Sequence, residues 1–97
     1  MIRIVKLTFA TENIPTFLEV FEQTKSRIRG FEGCERLELL SDRNNPEIYF
    51  TYSWWDKEES LANYRSSEFF QGVWAKTKPL FAAQAEAWSV DQKDLLI

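Results

Sequence analysis

Apolar and polar positions follow two periods along this chain, and the switches between them mark out its elements. Residues 2–10, IRIVKLTFA, carry apolar side chains at Ile2, Ile4, Val5, Leu7 and Phe9. Such a near-continuous, β-branched run predicts a strand covered on both faces. The period then lengthens: Phe17, Leu18, Phe21 and Ile28 form one helical stripe, with Glu19, Glu22 and Lys25 outside it. Asn13 is placed to cap this helix and Pro15 fits its first turn. Arg27 and Arg29 suit its last turn, and Gly30 supplies the stop.

Phe31–Gly33 predicts a turn and Cys34–Leu40 a second strand, with Leu37 and Leu39 on one face and Arg36, Glu38 and Leu40 on the other. The polar cluster Ser41–Pro46, SDRNNP, leads into the strongest strand signal, Glu47–Trp55. Alternation puts Ile48, Phe50, Tyr52 and Trp54 on one side, and Tyr49, Thr51, Ser53 and Trp55 on the other. Both sides carry aromatics, so both call for cover.

Asp56, with Glu59 three residues later, reads as a capping-box variant opening a helix with Leu61 and Tyr64 on one face. Ser66 or Ser67 can cap a second short helix bearing Phe70, Val73, Trp74 and Thr77, which Pro79 ends. Phe81–Gln92 predicts a last strand, weakened by alanines, with Trp88 and Val90 on one face. The tail Lys93–Ile97 ends in apolar residues that call for a docking surface.

The order is β-α-β-β-α-β. That predicts one α+β domain over residues 1–97, ferredoxin-like, with four antiparallel strands and the helices on one face. Because the strands are apolar on both sides, a second copy is the economical cover for the open face. The expectation is a homodimer whose two sheets close into a barrel.

Composition narrows the chemistry. With 12 basic and 15 acidic residues the net charge is −3, and no basic stripe stands out, which argues against a nucleic-acid partner. No signal-peptide pattern opens the chain and no run is long enough to cross a membrane. The single cysteine, Cys34, rules out an internal disulfide and suits a reducing cytoplasm. There is no histidine. That removes the usual general base near neutral pH and the commonest haem and zinc ligand, and it excludes Ser-His-Asp and Cys-His nucleophile chemistry.

The chain resembles the antibiotic biosynthesis monooxygenase (ABM) family of dimeric α+β barrels. The likeness rests on Gly33-Cys34 opening the second strand, Trp55 ending the third, the acidic helix start after it, and Leu61-x-x-Tyr64-x-x-Ser67-x-x-Phe70. Tyr64 stands where the family's L-x-x-H-x-x-S pattern has histidine, and Ser53 where an acid often precedes the tryptophan. Trp74 falls where haem-degrading members place their iron ligand, which argues against haem. The resemblance implies oxygenation with no cofactor, whether metal, flavin or haem. A small aromatic or quinol substrate would ionise in a closed pocket and pass an electron to O2, while the protein supplies shape, dry walls and hydrogen bonds to the oxyanion.

Tyr64 is the candidate catalytic residue, as hydrogen-bond donor to the substrate oxygen; it reads equally as a core tyrosine with its hydroxyl at the surface. Tyr49, Thr51, Ser53, Trp55, Leu61, Phe70 and Trp74 are the candidate substrate-binding residues. Trp55 and Trp74 either flank a flat ligand or fill the core between sheet and helices. Trp54 belongs to the dimer side. Cys34 reads as a buried thiol more readily than a reactive one. Glu38 is a remote general-base candidate, with an ion pair to Arg36 or Lys6 as the plainer role. The alternative function is a dimeric barrel that binds a small apolar molecule without transforming it. A barrel filled by its own aromatics is the third possibility.

Overall fold

A computed structural model describes all of residues 1–97. Seven main elements follow one another: β1 (Ile2–Thr8), α1 (Ile14–Arg29), β2 (Cys34–Ser41), β3 (Ile48–Trp55), α2 (Glu58–Ser66), α3 (Glu68–Thr77) and β4 (Glu86–Val90). The strands form one antiparallel sheet in the order β2-β3-β1-β4. This is the ferredoxin-like α+β arrangement, with the first and third strands at the centre.

Register decides which side chains meet the helices. Leu7 pairs with Tyr49, Val5 with Thr51 and Arg3 with Ser53, all on the helix-covered face. Ile4 pairs with Tyr52 and Trp88 on the other. Between Cys34 and Arg36 a bulge shifts the β2–β3 register, so that both Cys34 and Leu37 point inward.

The interior falls into two apolar groups rather than one. Leu7, Phe9 and Phe17 form the first, with the Phe9 and Phe17 rings stacked at 4.2 Å. Ile28, Cys34, Trp55, Leu61 and Tyr64 form the second. Trp55 and Phe9 are the two large side chains most completely removed from solvent. Burying rings of this size supplies much of the folding free energy of so short a chain.

Several local expectations are revised. Asn13 does not cap α1 through its side chain, because a 3-10 turn over Thr11–Asn13 runs straight into the helix. Its amide Nδ2 donates instead to Leu80 O at 3.3 Å, tying the helix start to the segment after α3. Leu18 is exposed, and the inward stripe of α1 runs through Phe17, Val20, Phe21, Thr24 and Ile28. Gly30 ends α1 at φ −81°; the left-handed position is Gly33, at φ 89°. A Cβ at Gly33 would overlap the Ser60 side chain, so the glycine lets the turn close against α2. Asp56 and Glu59 form no capping box: Lys57 occupies the cap position of α2 without a side-chain hydrogen bond.

Ser67 does cap α3. Its Oγ accepts from Phe70 N at 3.1 Å and donates to Tyr64 O at 2.6 Å, so one hydroxyl closes α2 and opens α3. The last strand is shorter than Phe81–Gln92. Phe81 makes only an isolated bridge with Phe9, residues 82–85 leave the sheet, and β4 resumes at Glu86. Small alanines there offer little to hold a strand in place. At the other end pairing with β4 stops at Val90 opposite Ile2, while Met1 carries the β1–β3 ladder one residue further, bonding Trp55 through both its amine (3.1 Å) and its carbonyl (2.8 Å). The tail beyond β4 lies exposed and is not docked on its own chain.

Candidate functional site

Between the sheet and the helices lies a cavity of about 360 Å³. The sheet contributes Arg3, Val5, Leu7, Leu37, Thr51, Ser53 and Ala87, with Ala85 just before β4. From α1 come Phe17, Val20, Phe21, Thr24 and Ile28; from α2, Leu61, Tyr64 and Arg65; from α3, Phe70, Val73, Trp74 and Thr77. The two apolar groups of the interior meet here without fusing, and the gap between them is the cavity. An interior filled by its own aromatics is therefore not what the chain forms. A space of this size suits a small ligand.

Six of the residues expected at the site line this wall: Thr51, Ser53, Leu61, Tyr64, Phe70 and Trp74. Phe70 and Trp74 lie one helical turn apart on α3, with near-parallel rings 6.0 Å apart at 11°. Tyr49 and Trp55 lie outside it. Tyr49 is held among Phe9 (6.1 Å) and Phe17 (5.6 Å). Trp55 sits behind Tyr64, ring on ring at 5.2 Å, and only 1% exposed. It thus backs the Tyr64 ring rather than flanking a ligand opposite Trp74. Its indole Nε1 donates to Ser53 Oγ at 2.9 Å, which satisfies the buried N–H and leaves the serine's own hydrogen free to donate.

Tyr64 is packed on three further sides by Phe31 (5.2 Å), Phe69 (6.4 Å) and Phe70 (5.1 Å). Tyr64 lines the cavity, and its hydroxyl makes no hydrogen bond within the chain. Burial first, and then the nearby Cys34 thiol, push its pKa up to about 12. At neutral pH it is a hydrogen-bond donor and not a base. Thr24 and Thr77 also line the wall, but their hydroxyls donate to Val20 O and Val73 O, both at 2.8 Å.

No carboxylate or lysine lines the cavity; its charged residues are Arg3 and Arg65. Burial and then the Arg65 charge lower the Arg3 pKa from the usual arginine value. Both arginines escaped the sequence reading. Arg3 was legible in principle, since alternation places it on the face of Val5 and Leu7. Arg65 lies beside Tyr64 and one turn after Leu61. Glu38 belongs to the opposite face of the sheet and pairs with Arg36 at 2.8 Å, so it cannot serve as a base here. Cys34 is buried, with its thiol directed at Arg36 O (3.7 Å) and its pKa raised by that burial. Such a thiol is a poor nucleophile. No helix is long and apolar enough to cross a membrane.

An antiparallel sheet with helices on one face, enclosing an aromatic cavity between the layers, defines the ferredoxin-like α+β class of small pocket proteins. Within that class the chain belongs to the antibiotic biosynthesis monooxygenase family, whose profile matches residues 1–76. Solved structures agree on the fold. A Nitrosomonas europaea protein assigned to that family superposes with a TM-score of 0.87 at 13% identity, covering 96% of this chain and 98% of its own. One from Caulobacter crescentus CB15 gives 0.89 at 15% identity, with 96% and 89% covered. A conserved protein from Methanosarcina mazei Go1 gives 0.83 at 23% identity, with 89% and 86% covered. No curated protein matches by sequence.

Proposed function

We propose that this protein is a cofactor-independent monooxygenase acting on a small aromatic or quinol-type substrate in the cavity between sheet and helices. The observation that carries the reading is the Tyr64 hydroxyl, an unpaired donor set in an aromatic wall. The substrate's phenolic or enolic oxygen would accept from Tyr64, with Phe70 and Trp74 against its ring and Thr51 and Ser53 along its edge. With no carboxylate in the wall, the substrate's proton leaves to solvent, and the positive charges of Arg3 and Arg65 favour the resulting anion. The anion gives one electron to O2, and the radical pair recombines at a ring carbon. Loss of water then yields the quinone, one oxygen atom entering the product and the other leaving as water. For an anthrone, one O2 is consumed and one water formed per anthraquinone.

The working unit would be a homodimer, its second copy covering the outer sheet face where Phe50, Tyr52, Trp54 and Trp88 stand. A reducing cytoplasm suits the free Cys34. The absence of any carboxylate from the wall favours one other reading, a dimeric module that binds an aromatic molecule and returns it unchanged.

The test is oxygen uptake by metal-stripped protein with a panel of quinols and anthrones, against autoxidation controls. Tyr64→Phe keeps the ring packing and removes the donor, and turnover should fall roughly ten- to hundredfold. Unchanged turnover would remove Tyr64 from the mechanism. Uptake no faster than autoxidation, with quenching by an intact ligand, would favour the binding module.

A further inference from the structure

We propose that the cavity's ligand carries a permanently ionised group, a carboxylate or sulfonate, which is held between Arg3 and Arg65 at the open end while its aromatic ring lies inside against Phe70 and Trp74. This deepens the reading of the cavity as the substrate site and rests on it.

Three observations place an anion there. Both arginines line the cavity, one from the central strand β1 and one from the last turn of α2. Neither takes part in an ion pair: the three in the chain join Lys6 to Glu86, Lys25 to Glu22 and Arg36 to Glu38. Yet the chain is acidic, with 15 carboxylate side chains against 12 cations, and not one of them lines this wall. Two like charges held near each other repel, and an anion seated between them relieves that repulsion while accepting charge-assisted hydrogen bonds.

The supports are polar as well. Arg3 stands between Ser53 and Ser89 across the sheet, and its Nη1 donates to Ser89 Oγ at 3.0 Å. That contact uses one of the five guanidinium hydrogens and steadies the group, leaving the others for a planar carboxylate or a sulfonate. Arg65 is exposed, which locates the pair at the cavity's opening rather than its floor. The geometry is that of an amphipathic site, apolar inside and cationic at the mouth.

Two dyes separate the claims: 8-anilinonaphthalene-1-sulfonate and N-phenyl-1-naphthylamine, the same ring system with and without the anion. Arg3→Gln and Arg65→Gln should each weaken the sulfonate about fivefold and the double variant about twentyfold. Binding of the neutral amine should stay within about twofold in all three. Val73→Trp, which fills the cavity, should abolish binding of both. If the amine binds and the sulfonate is indifferent to the arginines, or if both dyes weaken alike, the anion inference falls and the cavity reading stands. If neither dye binds, or both survive Val73→Trp, the cavity reading falls as well.

Discussion

Trp54 and Trp55 are adjacent in the chain and belong to the two faces of the sheet, which do different work. Trp55 is 1% exposed, stacked on Tyr64 and hydrogen-bonded to Ser53. Trp54 stands on the outer face beside Tyr52 (6.0 Å), with the Arg36 guanidinium over its ring at 5.0 Å. The inner face is closed by helices around a cavity. On the outer face Trp88 remains 45% exposed and Leu40 37%. One strand, β3, supplies aromatics to both. The inner row lines a cavity between the layers, and the outer row stays partly open to solvent. In a chain of 97 residues the helices cover one side of the sheet only.

The comparison is broken most severely from the inside. Trp55→Ala should cost about 3–5 kcal/mol, since it opens a void behind Tyr64 and leaves Ser53 without its partner. A chain of this size would then be close to unfolding in ordinary buffer, which thermal melting followed by near-ultraviolet circular dichroism would register. Retention of the wild-type melting temperature would mean that the inner face is not where stability resides.

A smaller effect of known sign comes from Tyr64. Its folded pKa is raised from 10.0 to about 12, so the unfolded chain ionises first as pH rises. The stability at stake is fully present below pH 10 and is lost between about pH 10 and 12, amounting to roughly 2–3 kcal/mol. Denaturant unfolding across this range would show the fall in wild type. Tyr64→Phe should abolish that component of it; an identical fall in both would place the titration elsewhere.

The smallest effect on a single chain, and the largest on a pair, belongs to the outer face. Trp88→Lys should change monomer stability by less than about 1 kcal/mol, because the ring is half exposed. It should weaken self-association at least about tenfold in sedimentation equilibrium. Unaltered association would separate the outer aromatics from the dimer.

Strand parity made much of this division legible before any coordinates. The alternation of β3 correctly sorted Tyr49, Thr51, Ser53 and Trp55 from Ile48, Phe50, Tyr52 and Trp54, and helical spacing put Leu61 and Tyr64 together. What parity could not say was depth. Tyr49, Ser53 and Trp55 share a face, yet only Ser53 reaches the cavity, because Phe17 covers one ring and Tyr64 the other. Helix caps at Asn13 and Asp56 were misjudged because tertiary partners claimed them: Leu80 takes the Asn13 amide, and Asp56 lies against the Gly33 turn. The cationic mouth was missed for a related reason. Arg3 and Arg65 are 62 positions apart, and only the folding of α2 back onto the sheet beside β3 brings both into the wall of one cavity.

We propose above that this cavity oxygenates an aromatic substrate with no help beyond protein and O2. The most direct measurement is turnover of an anthrone by metal-stripped protein under 18O2, with mass spectrometry of the product. A monooxygenase should show protein-dependent oxygen uptake, one labelled oxygen atom in each quinone, and loss of both when Val73→Trp fills the cavity. Unlabelled, unaltered anthrone recovered from a complex that nevertheless quenches tryptophan fluorescence would contradict it, and would make the protein a binder.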